Sequence, residues 1–296
     1  MFRLIRFFAK KQPEYVQVAL DTVPGNEAIV TIDATDYEVI FFNVLYEPQL
    51  IGIVFPEFEV TPESMAGVSC LNIKNGTIRF DLTYNANIRT SSGNIFLCTV
   101  NDAAIRTGLF GKRYLQRFYE RALVKKKYVI GTLDISVYRK LIAFFYYPKP
   151  VFLVCTATTE NTNAFPVDTC RKVWDHYIFG ARRSNNIIGG CAVGDVIIIG
   201  DADFSKRDMI YQLGKFRVAQ DEIKFRTDTG TGIPVPETVS GYEAARIVQI
   251  MEYATQNVYI AEVVSERTVV NDAPALAHIH KFWLTSEKMR RRYSVV

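Results

Sequence analysis

Short runs of branched and aromatic residues, each closed by turn residues, dominate the first hundred positions. Ala28–Asp33, Glu38–Leu45, Leu50–Phe55, Val68–Ile73, Thr77–Leu82 and Asn94–Val100 have this texture, and each predicts a β-strand. Lys74-Asn75-Gly76-Thr77, between two such runs, is the strongest hairpin signal in the chain. The period then changes. Leu115, Phe118, Tyr119, Ala122 and Leu123 recur at helical spacing, which predicts a helix over 111–127. A second helix is predicted from Asp134 to about Tyr146, ending before Pro148.

Beyond Pro148 the strand texture returns at Val151–Thr156, Asp175–Ala181 and Asp195–Gly200. Thr162 to Pro166 reads as a turn after a polar loop. Asp203 to Gly214 reads as a helix with Asp203 or Ser205 at its N-cap. Ala245–Tyr253 and Asn257–Ser265 predict a hairpin. A last helix is expected after Asp272, with Pro274 in its first turn and Leu276, Ile279, Trp283 and Leu284 along one side. No internal repeat is visible. The texture divides the chain into residues 1–146, β-rich and ending in two helices, and residues 147–296.

Composition narrows the function classes. The 296 residues suffice for one large or two ordinary domains, with 49% apolar and 22% charged residues. A net charge of +4 gives no reason to expect a nucleic-acid partner. The apolar stretches are too short for a transmembrane helix, and the opening residues lack a signal-peptide pattern, so a soluble cytoplasmic protein is expected. Five cysteines with no Cys-x-x-Cys spacing argue against a disulfide scaffold or a structural zinc site. His278 and His280 cannot chelate one ion if they lie two apart on a helix, so no metal site is expected. Hydrolase elbows, dinucleotide fingerprints and P-loops are missing; Gly189–Gly194 and Thr229–Pro234 read as turns.

The remaining chemistry lies after Pro148. Thr158, Thr159, Thr162 and Asn163 offer hydroxyl and amide groups. Arg182 and Arg183 follow a strand, and Lys215 follows a helix end; together these groups suit a phosphate. The order of pieces is similar to one family. Tyr147-Pro148-Lys149-Pro150-Val151 resembles the Tyr-Pro-Arg-Pro-Val opening of the flavin reductase-like, FMN-binding split β-barrels. Thr162-Asn163-Ala164-Phe165-Pro166-Val167-Asp168, the strand ending in Arg182, and Tyr211-Gln212-Leu213-Gly214-Lys215 resemble motifs that follow in the same order in a subgroup.

The resemblance covers roughly residues 145–285. It implies an α+β, β-rich fold, with a split β-barrel preceded by the β-rich region and its two helices. It also implies noncovalent FMN, a homodimer, and hydride transfer from NAD(P)H to flavin or a small acceptor. The alternative is a non-catalytic flavin-binding or interaction module. By motif match Asn163, Ala164, Arg182 and Lys215 are flavin-proximal, with Thr162 and Thr169 as weaker neighbours, and Arg183 is a further cofactor-binding candidate as a cation beside Arg182. Two departures from the subgroup stand out: Gly180 where Ser is frequent, and Arg183 where His is.

Overall fold

A computed structural model describes residues 15–20, 27–46, 48–57, 59–73, 78–105, 149–157, 162–185, 187–213, 223–280 and 294–295. The helices expected at 111–127 and 134–146, and Lys215, lie outside the described residues. After β1 (Tyr15–Leu20) come β2 (Glu27–Ile32), β3 (Thr35–Tyr46), β4 (Gln49–Val54), β5 (Val68–Ile73), β6 (Ile78–Thr90) and β7 (Gly93–Ile105). The last six of these match the six predicted strands. They close into an antiparallel barrel in the order β2–β3–β4–β7–β6–β5. Alternation explains the closure: one face of each strand, with Val30, Phe41, Ile53, Leu71, Phe80 and Phe96, fills the barrel interior.

The second half holds β8 (Lys149–Pro150), β9 (Phe152–Ala157), β10 (Thr162–Val167), β11 (Arg171–Val173), β12 (His176–Arg182) and β13 (Val196–Ala202). It continues with β14 (Phe225–Thr227), β15 (Pro234–Pro236), β16 (Val239–Tyr253), β17 (Gln256–Val263), β18 (Thr268–Val269), β19 (Ala275–His280) and β20 (Ser294–Val295). Eight strands form one antiparallel sheet, in the order β10–β9–β13–β16–β17–β12–β11 with β18 paired alongside β16. The sheet curls so that β10 comes beside β12 without a ladder between them. Phe165 and Val167 from β10 therefore share one core with Tyr177 and Phe179 from β12. This is a split barrel, open along the β10–β12 seam, and the β-rich expectation holds.

Two expectations fail. Thr162 to Pro166 is not a turn: these residues lie in β10, with Asn163 opposite Thr156 and Phe165 opposite Val154. Pro166 is tolerated because β10 is an edge strand of its sheet. The last helix is also wrong. Ala275–His280 is strand β19, held between β1 and β8, and β1 also pairs β20. Pairing on both edges overrides the local helical spacing of Leu276 and Ile279. The reason for setting aside His278 and His280 as ligands falls with that helix. Among the described residues, however, no group of three or more His, Cys, Asp or Glu could hold a metal ion.

The segment from Asp203 follows its prediction. The Asp203 carboxylate accepts from the Ser205 N–H at 2.7 Å, capping a 3-10 turn at Phe204–Lys206 that leads into the helix Arg207–Leu213. The 229–233 stretch is a turn, with the Thr231 N–H and hydroxyl both donating to Asp228 at 2.8 Å, and Pro234 already opens β15. The predicted late hairpin is β16–β17.

The two barrels pack face to face. Phe42, Val44 and Leu97 of the first and Ile178, Val258 and Ile260 of the second belong to one buried cluster. At Gly180 an added Cβ would lie 2.2 Å from the Val44 carbonyl oxygen and 2.3 Å from Leu45 Cδ2. A serine here would collide with backbone, which explains the departure at this position. Ser91 also donates to Asp175 at 3.0 Å across the contact. Among the described residues no helix is long and apolar enough to cross a membrane.

Candidate functional site

Strand β9 alternates between two cores. Phe152 and Val154 face the barrel interior, whereas Leu153 and Cys155 face the opposite side. Thr156 continues the interior series. It is 2% exposed, and its hydroxyl has no hydrogen-bond partner among the described residues. A buried hydroxyl left without a partner costs about 1–3 kcal/mol, so it marks a place where a ligand could supply the missing bond. The sequence reading treated Thr156 only as a strand end; the signal was its inward register, which appears once the sheet is assembled.

Asn163 stands opposite Thr156 on β10, and Thr162 opposite Ala157. Ala164 is buried in the core on the far face of the sheet, so only its backbone can touch a ligand. Thr169 is buried and its hydroxyl donates to the Gly180 carbonyl at 3.1 Å. That bond ties the end of β10 to β12 across the split, and the donor is committed there. Because Arg171 pairs with Ile178 in the antiparallel β11–β12 ladder, β12 runs back along β10 and carries Arg182 with it.

Arg182 is exposed and takes part in no ion pair among the described residues. Arg183 is engaged: its Nε donates to Asn257 at 3.1 Å, and its Nη2 lies 2.9 Å from Glu252. The structure thus joins Thr156 with Asn163, and Thr169 with the Arg182 strand. It turns Ala164 away and occupies Arg183. Sequence reasoning also missed Arg226, whose Nε and Nη2 are buried without hydrogen-bond partners while the guanidinium lies 5.4 Å from the Tyr242 ring centroid.

Three groups of charged side chains lie elsewhere in this half. Glu243, 5% exposed, receives Lys172 Nζ at 2.7 and 2.8 Å and the Tyr177 hydroxyl at 2.6 Å. Burial, then the bond to Glu243, raise the Tyr177 pKa. Asp201 pairs with Arg267 nearby. Burial pushes the Cys98 and Cys155 thiols up to about 12 and the Cys170 thiol well above its usual value, which disfavours the nucleophilic thiolate at these three positions.

The third group is Lys149 on β8, opposite His278 on β19, with Asp168 3.1 Å from His278 Nδ1. Lys149 is 2% exposed, and burial lowers its pKa to about 7 against the pull of Asp168. An unfolded lysine titrates near ~10.4, so between those values the unfolded chain binds the extra proton. Stability from this group therefore rises from about pH 7 to about pH 10.5 and is lowest, and flat, below that window. Lys149→Met is expected to stabilise the chain on the order of a few kcal/mol at pH 6. The gain should vanish near pH 10.5, as read by urea unfolding across pH; a pH-independent gain would contradict this.

No protein-family model and no curated protein matches the chain. Solved structures similar to about half of it include a Streptomyces globisporus NADH:FAD oxidoreductase, SgcE6, in complex with NAD and FAD fragments. It is 12% identical over 51% of this chain and 92% of that one, with TM-score 0.43. The flavin reductase HpaC complexed with NADP+ is 15% identical over 55% of this chain and 98% of that one, also at TM-score 0.43. A flavin reductase domain protein from Arthrobacter sp. FB24 is 14% identical over 47% and 87%, at TM-score 0.41.

Proposed function

We propose that residues 147–296 form an FMN-binding unit of flavin reductase-like type, taking hydride from NAD(P)H and passing it to flavin or a small acceptor. The observation that carries this reading is Thr156: a buried hydroxyl without a partner, opposite Asn163 in the segment whose motif order resembles the family. The residues fit the cofactor's chemistry. Thr156 offers a hydrogen bond where none is made, and Arg182 is a cation free of ion pairs among the described residues, suited to a phosphate. Lys215 is assigned to the same phosphate on its motif alone.

When bound, the flavin supplies the electron chemistry. The protein's part is to bind it, orient it and exclude water. No side-chain nucleophile is required, in keeping with the buried, protonated thiols of Cys98 and Cys155. Five free cysteines suit a reducing compartment, and in this reading the protein is cytoplasmic.

The test is FMN titration followed by quenching of flavin fluorescence. Arg182→Ala should weaken binding by about 1–3 kcal/mol, and Thr156→Val should weaken it in the same direction. Unchanged affinity in Arg182→Ala would remove that residue from the site. Steady-state NADH and NADPH oxidation then separates a reductase, which turns over, from a flavin carrier, which does not.

A further inference from the structure

The connectivity of the first barrel is repeated in the second. Taking the six strands of each in chain order, the first pairs with the second and fourth, the fourth with the fifth, the fifth with the sixth and the sixth with the third. This holds for β2 to β7 and again for β9, β10, β12, β13, β16 and β17. The one difference is the ladder between second and third strands, present as β3–β4 and missing between β10 and β12, where short β11 takes the edge of β12.

The register repeats as well. The fifth and sixth strands form a long hairpin in both barrels, closed by Ser91-Ser92 in one and Ala254-Thr255 in the other. Thr90 pairs with Gly93, as Tyr253 does with Gln256. Counting back from the turn, each fifth strand skips one residue at the same place: Asn85 between Tyr84 and Ala86, and Val248 between Ile247 and Gln249. A bulge at one matching position in two hairpins is a specific device rather than a general property of sheets. With this register Asn94-Ile95-Phe96-Leu97-Cys98 lies over Asn257-Val258-Tyr259-Ile260-Ala261, the one run where the repetition can be seen in the sequence.

The contact between the barrels uses matching positions. Ile88, Ile95 and Leu97 of the first correspond to Met251, Val258 and Ile260 of the second, and all six belong to the single cluster between the barrels. Matching hairpin positions therefore meet at the seam, while β3 of the first barrel adds Phe42, Val44 and Leu45 against β12 and β17.

We infer that the chain is a paired unit in itself, two barrels of one plan joined through equivalent faces, with residues 27–105 as the built-in partner of the split barrel. The homodimer implied by the family resemblance is thereby replaced by pairing within one chain. The apolar faces of the two barrels are already buried against each other within one chain, so the expected state of this chain is a monomer. This inference does not rest on flavin binding.

Sedimentation equilibrium on the full chain should give a single species of 33.7 kDa; a stable dimer would overturn the inference. Ile260→Asp, on the second barrel, should raise hydrogen exchange at residues 95–97 of the first by about tenfold or more, because the shared seam opens on both sides. Where that variant does not fold, Met251→Lys at the half-buried rim of the seam replaces it. Faster exchange confined to β16 and β17, with 95–97 unchanged, would contradict pairing through these faces.

Discussion

Gly180→Val is expected to destabilise the protein by about 3 kcal/mol or more, the upper part of the range for overpacked sites. The first atom of any side chain at 180 would meet the Val44 carbonyl oxygen at 2.2 Å, and backbone cannot swing aside as a flexible side-chain end can. Relief requires β12 to move off β3, which opens the apolar seam between the barrels. A loss of this size lowers Tm by roughly 6–12 °C in a chain of this class. Gly190→Ala is the control, since nothing lies within 4 Å of its added Cβ, and it should stay within about 0.5 kcal/mol of the parent. Equal effects of the two substitutions in thermal unfolding would show that the close approach at Gly180 is unimportant.

Glu243→Ala is expected to cost about 1–3 kcal/mol, because it strips a buried hydroxyl of its acceptor, while the Lys172 ammonium it also releases is partly exposed to water. Tyr177, 1% exposed, would keep its hydroxyl with no acceptor, and Lys172 would lose both of its contacts to the carboxylate. Tyr177→Phe alone should cost only about 1 kcal/mol, because Lys172 still satisfies Glu243. In the double variant the costs should sum to less than the separate losses, since the orphaned hydroxyl is gone. Urea unfolding of the three variants measures this, and strict additivity would contradict a shared network.

The strands of both halves were legible because their faces alternate, and alternation is a local property. All six strands of the first barrel stand where branched and aromatic runs predict them, yet nothing local says that β2 returns to β5. Closure is a long-range pairing. The failures have the same origin. Asn163 and Pro166 carry turn chemistry, but β9 recruits them as an edge strand. Leu276 and Ile279 have helical spacing, but two neighbouring strands claim their backbone.

The site was legible as residue types and much less as geometry. The hydroxyls and arginines after Pro148 suggested a phosphate. Only the assembled sheet separates Arg182, free of ion pairs among the described residues, from Arg183, held by Asn257 and Glu252. Thr169 could not be distinguished from Thr162 in the sequence, whereas its bond to the Gly180 carbonyl gives it a joining role across the split. Thr156 was invisible as a candidate because its interest lies in a missing partner. The repeated plan of the two barrels was hidden for a related reason. Hairpin register and bulge position survive with any apolar residue of suitable size, and only the Asn94 and Asn257 runs retain the resemblance.

The most direct measurement is the binding of FMN to the purified full-length chain, read by fluorescence quenching and by the flavin absorbance bands. Saturable quenching with one FMN per chain, weakened by Arg182→Ala and by Thr156→Val, is the predicted result. No quenching with protein in the micromolar range would contradict the flavin assignment and leave the paired barrels without it.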